Sequence, residues 1–192
     1  MSFAQLPRRP WRFGVALLAA GLSIATVAAA AGQAIVQNTD DEPIPPQVQS
    51  SVDRGLAWLA TDQDPRTGAW PTNAGWRGPT AAVTGLAAMA FMARGNVPGQ
   101  GPYGDVLNRA VDCLLNLQQP DGLLASQGLN QSMYDHGIAT VMLCECYGML
   151  DNARQARARV AIAHAVRLIL DAQSVPKSSG DRGGWPYMPR SR

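Results

Sequence analysis

Asp135 and His136 are adjacent, and an aspartate beside a histidine has the make-up of an acid–base pair. They fall near the N-terminal end of a predicted apolar helix. A second reading stands beside the first: Asp135 caps that helix and His136 makes a partly buried polar contact. Thr80, 55 residues earlier, holds the matching place and supports capping. Tyr134 suits a core or cavity wall better than an acid. Asp62 and Asp64 flank Gln63 at a helix end, where capping and turn chemistry accounts for both carboxylates. Cys113, Cys144 and Cys146 are odd in number, so one chain cannot pair them all. Cys144 and Cys146, two apart on a helix, point in different directions. Cys144 is also nine residues from Asp135, too far along one helix to share an ion with it. No metal site and no cofactor are expected, and the three thiols read as small buried hydrophobes. A disulfide from Cys113 is the alternative.

The elements that must position these residues repeat. Gly55-Leu56-Ala57-Trp58-Leu59 precedes Gln63, Ala110-Val111-Asp112-Cys113-Leu114 precedes Gln118, and Ala165-Val166-Arg167-Leu168-Ile169 precedes Gln173. The period is 55 residues, the mark of a repeat architecture. Val48, Val52, Leu56 and Leu59 lie on one face of a helix starting near Gln47. Leu107, Val111, Leu114 and Leu115 do the same over 105–117, with Asp105 able to cap the start. Ile162, Val166, Ile169 and Leu170 do so over 156–172. Between these amphipathic helices lie 80–94 and 133–150, apolar on most sides and expected to be buried all round. His164 and the run Arg154, Arg157 and Arg159 read as solvent-facing. The fold class is all-α: stacked helical hairpins with an amphipathic outer layer and an apolar inner layer, the arrangement of an α/α toroid. A ring needs about six such hairpins, and repeats leave faces unburied where they stop. The chain supplies two and a half and ends where a third inner helix would begin, which suggests a truncated reading frame, or missing repeats or a partner chain.

Residues 1–31 are set apart. Arg8, Arg9 and Arg12 precede an uncharged stretch from Phe13 to Ala31 ending in four alanines, the pattern of a secretory signal peptide. A retained membrane anchor is the other reading. Either places the rest outside the cytoplasm, periplasmic or secreted, or anchored to the inner membrane. Residues 32–46 read as a polar, proline-rich linker, and 47–192 as the repeat domain. With those three arginines set aside, the 16 basic residues no longer outnumber the 14 acidic ones, so no basic field points to nucleic acid.

The first repeat reads Arg54-Gly55-x-x-Trp58-Leu59-x-x-x-Gln63-x-x-x-x-Gly68-x-Trp70. It resembles the QW motif of the squalene–hopene cyclase and oxidosqualene cyclase superfamily, and the related repeat of protein prenyltransferase β subunits. Gln173 with Gly183-Gly184-Trp185 resembles it with a longer insert. Gln118 with Gly122 keeps two of the three residues and lacks the tryptophan. Met133 to Met149 is similar to exported bacterial proteins of this superfamily. In physical terms the motif holds hairpins together. The glutamine satisfies carbonyls at its helix end and donors of the next helix, the glycine allows a tight turn, and the tryptophan plugs the gap between hairpins. A substrate-lining role for Trp70 or Trp185 is the alternative.

The resemblance implies an isoprenoid or other hydrophobic small molecule as ligand. Cyclases of this type protonate an alkene or epoxide with an aspartic acid of a DxDD or DCT-type motif, in a cavity where aromatic faces steady cations. The nearest string here, Asn38-Thr39-Asp40-Asp41, lacks the first aspartate and lies in the linker, and aromatic residues make up 6% of the chain. The zinc ligands of prenyltransferases have no counterpart. Two functional expectations follow: a terpenoid-cyclase-like isomerase or lyase without an intact acid motif, or a non-catalytic extracytoplasmic binding or scaffold module.

Overall fold

The computed structural model describes residues 44–72, 80–126, 132–185 and 187–190. The signal-like segment, nearly all of the linker and Asp40-Asp41 lie outside them. The architecture is all-α, with five helices among the described residues: α1 (Pro46–Asp62), α2 (Ala81–Ala93), α3 (Gly104–Leu117), α4 (Ser132–Cys146) and α5 (Asn152–Ser174). A 3-10 turn, Tyr147–Met149, follows α4. No helix of the described residues is long and apolar enough to cross a membrane.

Local chemistry sets the boundaries. Pro46, expected in the linker, is instead the first residue of α1, where its missing N–H costs nothing. Thr80 caps α2 through a bond from Val83 N–H. Asp151 caps α5, accepting from Ala153 and Arg154 N–H. Asp105 does not cap α3. It lies inside the first turn after Tyr103, and there its charge favours the positive end of the helix.

Helices α2 and α4, the inner pair of the expected arrangement, pack against each other. Their closeness follows from small residues: a Cβ on Gly85 would lie 3.2 Å from Ile138 Cγ2. The outer helix α3 packs on α2, and α5 packs on α4 and α3. One core joins Trp70, Phe91, Leu107, Val111, Leu114, Met142, Leu143 and Cys146.

The inner helices are not buried all round, as their composition suggested. Leu86 is 53% exposed and Val141, 55 residues later, 50%. Burial on α2 and α4 stays almost in step at this offset: Thr84 with Ala139, Ala88 with Leu143 and Phe91 with Cys146 are all buried. A solvent-facing apolar strip therefore recurs on each.

The outer helices part company. In α3 both sides are covered: Val106, Ala110 and Cys113 on one, Leu107, Val111 and Leu114 on the other. Helix α5 buries the first side only, with Ala158, Ala161, Ala165, Leu168 and Ala172. The face expected to be buried, Ile162, Val166, Ile169 and Leu170, is half-covered at best, and Leu170 is 54% exposed. Helix α1 shows the opposite deficit. Leu56 is buried, Val48 and Val52 are exposed, and Trp58, counterpart of buried Cys113, is 62% exposed. Among the described residues α1 and α5 each have a neighbour on one flank only, and periodicity in one helix cannot report which flank is covered.

Candidate functional site

Asp135 is the fourth residue of α4 and is buried. Its Oδ2 accepts from the N–H of Ala81 at 3.1 Å, the first residue of α2. The carboxylate thus caps the neighbouring inner helix, which corrects the expectation that it caps its own. Burial raises its pKa, against the lowering effect of hydrogen bonds from the Ala81 and Ala82 N–H groups.

His136 is fully buried and both ring nitrogens are engaged. Nδ1 accepts from Leu124 N–H at 2.9 Å, and Nε2 lies 3.1 Å from the carbonyl oxygen of Ala165. An acceptor Nδ1 requires the proton on Nε2, so the ring is neutral and donates to Ala165. Burial lowers its pKa, with the Ala165 bond and the Asp121 charge opposing. Adjacent in sequence, the two side chains have separate partners: Asp135 holds α2, His136 holds the loop before α4 and α5.

Gln63 and Gln118 repeat the same two donor bonds. Gln63 Nε2 donates to the carbonyls of Gly68 at 2.9 Å and Val106 at 3.0 Å. Gln118 Nε2 donates to those of Gly122 at 3.1 Å and Ala161 at 2.9 Å. Val106 and Ala161 are 55 residues apart, each in the first turns of the next outer helix or shortly after. The main partners on that helix are carbonyls, where donors were expected. The one donor is a side chain, Arg109 Nε, 3.0 Å from Gln63 Oε1. Gly68 and Gly122 both have positive φ and press on the next outer helix. An added Cβ would collide with the Arg109 carbonyl in the first case, and lie 2.9 Å from that of His164 in the second.

Trp70 is buried, and its Nε1 donates to the Leu59 carbonyl at 2.8 Å. Leu124, two residues after Gly122 as Trp70 is two after Gly68, is equally buried. The loops match too: Asp64 N–H donates to Ala69, and Gln119 N–H to Leu123. Ala81 and His136 are likewise counterparts, both fully buried. A large Trp70 and a small Ala81 thus correspond to a smaller Leu124 and a larger His136.

The third copy does not plug anything among the described residues. Gln173 is half-buried, Trp185 is 38% exposed, and nothing lies within 4 Å of a Cβ built on Gly183, although its φ is positive. No further outer helix is present among the described residues to receive them.

The remaining groups divide cleanly. Asp64 Oδ1 accepts from Arg66 and Thr67 N–H, a turn as expected. His164 is exposed. Arg154 and Arg157 are not simply solvated: both pair with Asp112 of α3, Arg154 at 2.6 Å and Arg157 at 3.1 Å, and latch α5 to it. Tyr134, expected in the core or on a cavity wall, is not in the core: it is exposed, its ring 5.9 Å from that of Tyr187. All three cysteines are free thiols. Cys113 and Cys146 are buried, with pKa pushed up by burial to about 11 and about 12. Cys144 departs from expectation. It is exposed and, with Tyr147, Arg159, Ile162 and Ala163, lines a groove of about 430 Å³ between α4 and α5. Among the described residues no cluster of His, Cys, Asp or Glu is arranged to hold a metal ion.

Sequence reasoning missed Leu124, Arg109 and Asp112. For Leu124 a signal was present in its spacing from Gly122. For Arg109 and Asp112 none was, because their partners are set by how helices meet. No protein-family model, curated protein or solved structure matches the chain.

Proposed function

We propose that this chain is a hairpin-repeat scaffold of the squalene cyclase-like, α/α-toroid type, exported from the cytoplasm, and that it binds an apolar isoprenoid rather than transforming it. One observation carries the non-catalytic reading: both members of the candidate acid–base pair are spent on backbone groups. Asp135 caps α2, and His136 bridges Leu124 and Ala165. A working acid must deliver its proton to a substrate within hydrogen-bond reach, and Asp135 is turned into the α2–α4 interface. The repeated glutamine bridges support the toroid-type reading, because the same three-way contact recurs 55 residues on.

The binding reading draws on the strip that holds Leu86 and Val141, apolar yet exposed in both repeats. Exposed apolar surface on an inner layer is what an isoprenoid chain would cover.

A specific feature favours the cyclase reading as runner-up: burial raises the pKa of Asp135, as a proton-donating carboxylic acid requires. Incubating the protein and its Asp135→Asn variant with squalene decides between them. Saturable squalene binding with no product from either form is expected. Cyclised product from the unaltered protein, lost in the variant, would establish the cyclase. Absence of both product and binding would remove the isoprenoid from the proposal.

A further inference from the structure

We infer that Tyr187 and Met188 form a strap across the start of α4, and that the strap must lift before an isoprenoid chain can lie along the exposed apolar strip of that helix. The inference rests on the isoprenoid reading above and adds a gate to it.

Three successive residues at the start of α4 meet the strap. The hydroxyl of Ser132 donates to Met188 Sδ at 3.5 Å. The N–H of Met133 donates to the Tyr187 carbonyl at 3.1 Å. The rings of Tyr134 and Tyr187 lie 5.9 Å apart, tilted by 51°. The two sides of this contact are unlike. Ser132 and Met133 are buried, and Met133 packs with Leu123, Ala125, Leu168 and Ala172. Tyr187 and Met188 are 53% and 40% exposed. The strap lies on a buried base and can leave it without opening the core.

The chain leading to the strap is tied to itself. Lys177 Nζ donates to the carbonyls of Ala172 and Val175, Ser178 Oγ to Asp181 Oδ2, and Gly184 N–H to the Asp181 carbonyl. A Cβ on Gly180 or Gly183 would meet nothing within 4 Å. These bonds stay with the loop when the strap lifts, so none of them opposes lifting.

Position makes the strap a gate. Tyr134 lies seven residues before Val141, two turns away on the same face of α4, and both are exposed. Tyr187 thus stands on the first residue of the strip. An apolar chain running along α4 from Val141 toward its start arrives at the ring that Tyr187 touches.

The N–H of Met133 supplies the readout. Met133 is the second residue of α4, so its N–H has no carbonyl to meet within its own helix and bonds to Tyr187 instead. Its hydrogen exchange reports the lifted state. Tyr187→Ala removes the ring contact, and Tyr187→Phe keeps it. Where binding needs the lifted state, apparent affinity scales with the population of that state. Tyr187→Ala should speed Met133 exchange by about fivefold or more and lower the squalene Kd by the same factor. Its unfolding midpoint should not move, because Tyr187 is half-exposed. Tyr187→Phe should keep the unaltered exchange rate and Kd, and added squalene should speed Met133 exchange in the unaltered protein. Unchanged exchange in Tyr187→Ala would overturn the strap. Faster exchange with an unchanged or weaker squalene Kd would overturn the gate and leave the isoprenoid reading standing. No squalene binding by any form would remove that reading and the gate with it.

Discussion

The backbone N–H of Leu124 donates to Nδ1 of His136 at 2.9 Å, and this bond sets the charge of a fully buried imidazole. Protonating Nδ1 would replace an acceptor with a donor facing a donor. The folded-state pKa lies below the ordinary value of 6.5, chiefly through burial. A depressed pKa means that the unfolded chain takes up the proton first as pH falls. The stabilisation is complete above the unfolded value and is lost downward through the folded one. The contribution of His136 to the unfolding free energy should be level above pH 7 and fall below pH 6.5 by up to about 1.4 kcal/mol per pH unit. Urea unfolding at stepped pH measures it, and His136→Gln should flatten the contribution from this residue.

Trp70 and Ala81 hold the places that Leu124 and His136 hold in the second hairpin, all four of them buried, so the second hairpin should accept the chemistry of the first. Leu124→Trp alone overpacks and should cost about 1–3 kcal/mol. His136→Ala alone leaves the Leu124 N–H and the Ala165 carbonyl without this partner, for about 2–4 kcal/mol. Combined, the new indole fills the vacated volume, and its N–H can approach the Leu114 carbonyl as Trp70 approaches Leu59. A double-mutant cycle by denaturant unfolding should show a favourable coupling of at least about 1 kcal/mol. Simple additivity would show that the two sites are not equivalent.

The three glutamines share one sequence context and should differ in worth. Gln63→Ala and Gln118→Ala remove donors to two carbonyls each and should cost about 1–3 kcal/mol. Gln63→Ala also strands Arg109 and should be the more severe. Gln173→Ala, at a half-buried position on the open end, should stay within about 0.5 kcal/mol. Thermal melts of the three variants rank them.

The motif glycines should follow the same order for a steric reason. Gly68→Ala drives a methyl group into the Arg109 carbonyl, and Gly122→Ala brings one to 2.9 Å from that of His164. Both atoms are backbone and cannot step aside cheaply. Gly183→Ala meets nothing and incurs only the left-handed backbone cost of roughly 1–2 kcal/mol. The melting temperature should therefore drop most for Gly68→Ala and least for Gly183→Ala.

Much of the molecule was legible in the order of residues. Helix-period apolar spacing and a 55-residue recurrence are local or regular properties, so they announced the helices and the repeated glutamines and glycines. Leu107, Val111 and Leu114 were identifiable as core from their spacing alone. What spacing could not say was which flank of an outer helix has a neighbour. Val166 and Leu170 follow the same pattern and face solvent, while a modest row of alanines on α5 makes the contact. Nor could adjacency say what Asp135 and His136 do. Neighbours along a helix point about 100° apart, and here one side chain reaches α2 and the other reaches α5. Composition and period determined the elements and their register. Only the packing of helix on helix decided that the residues most suggestive of chemistry hold the hairpins together.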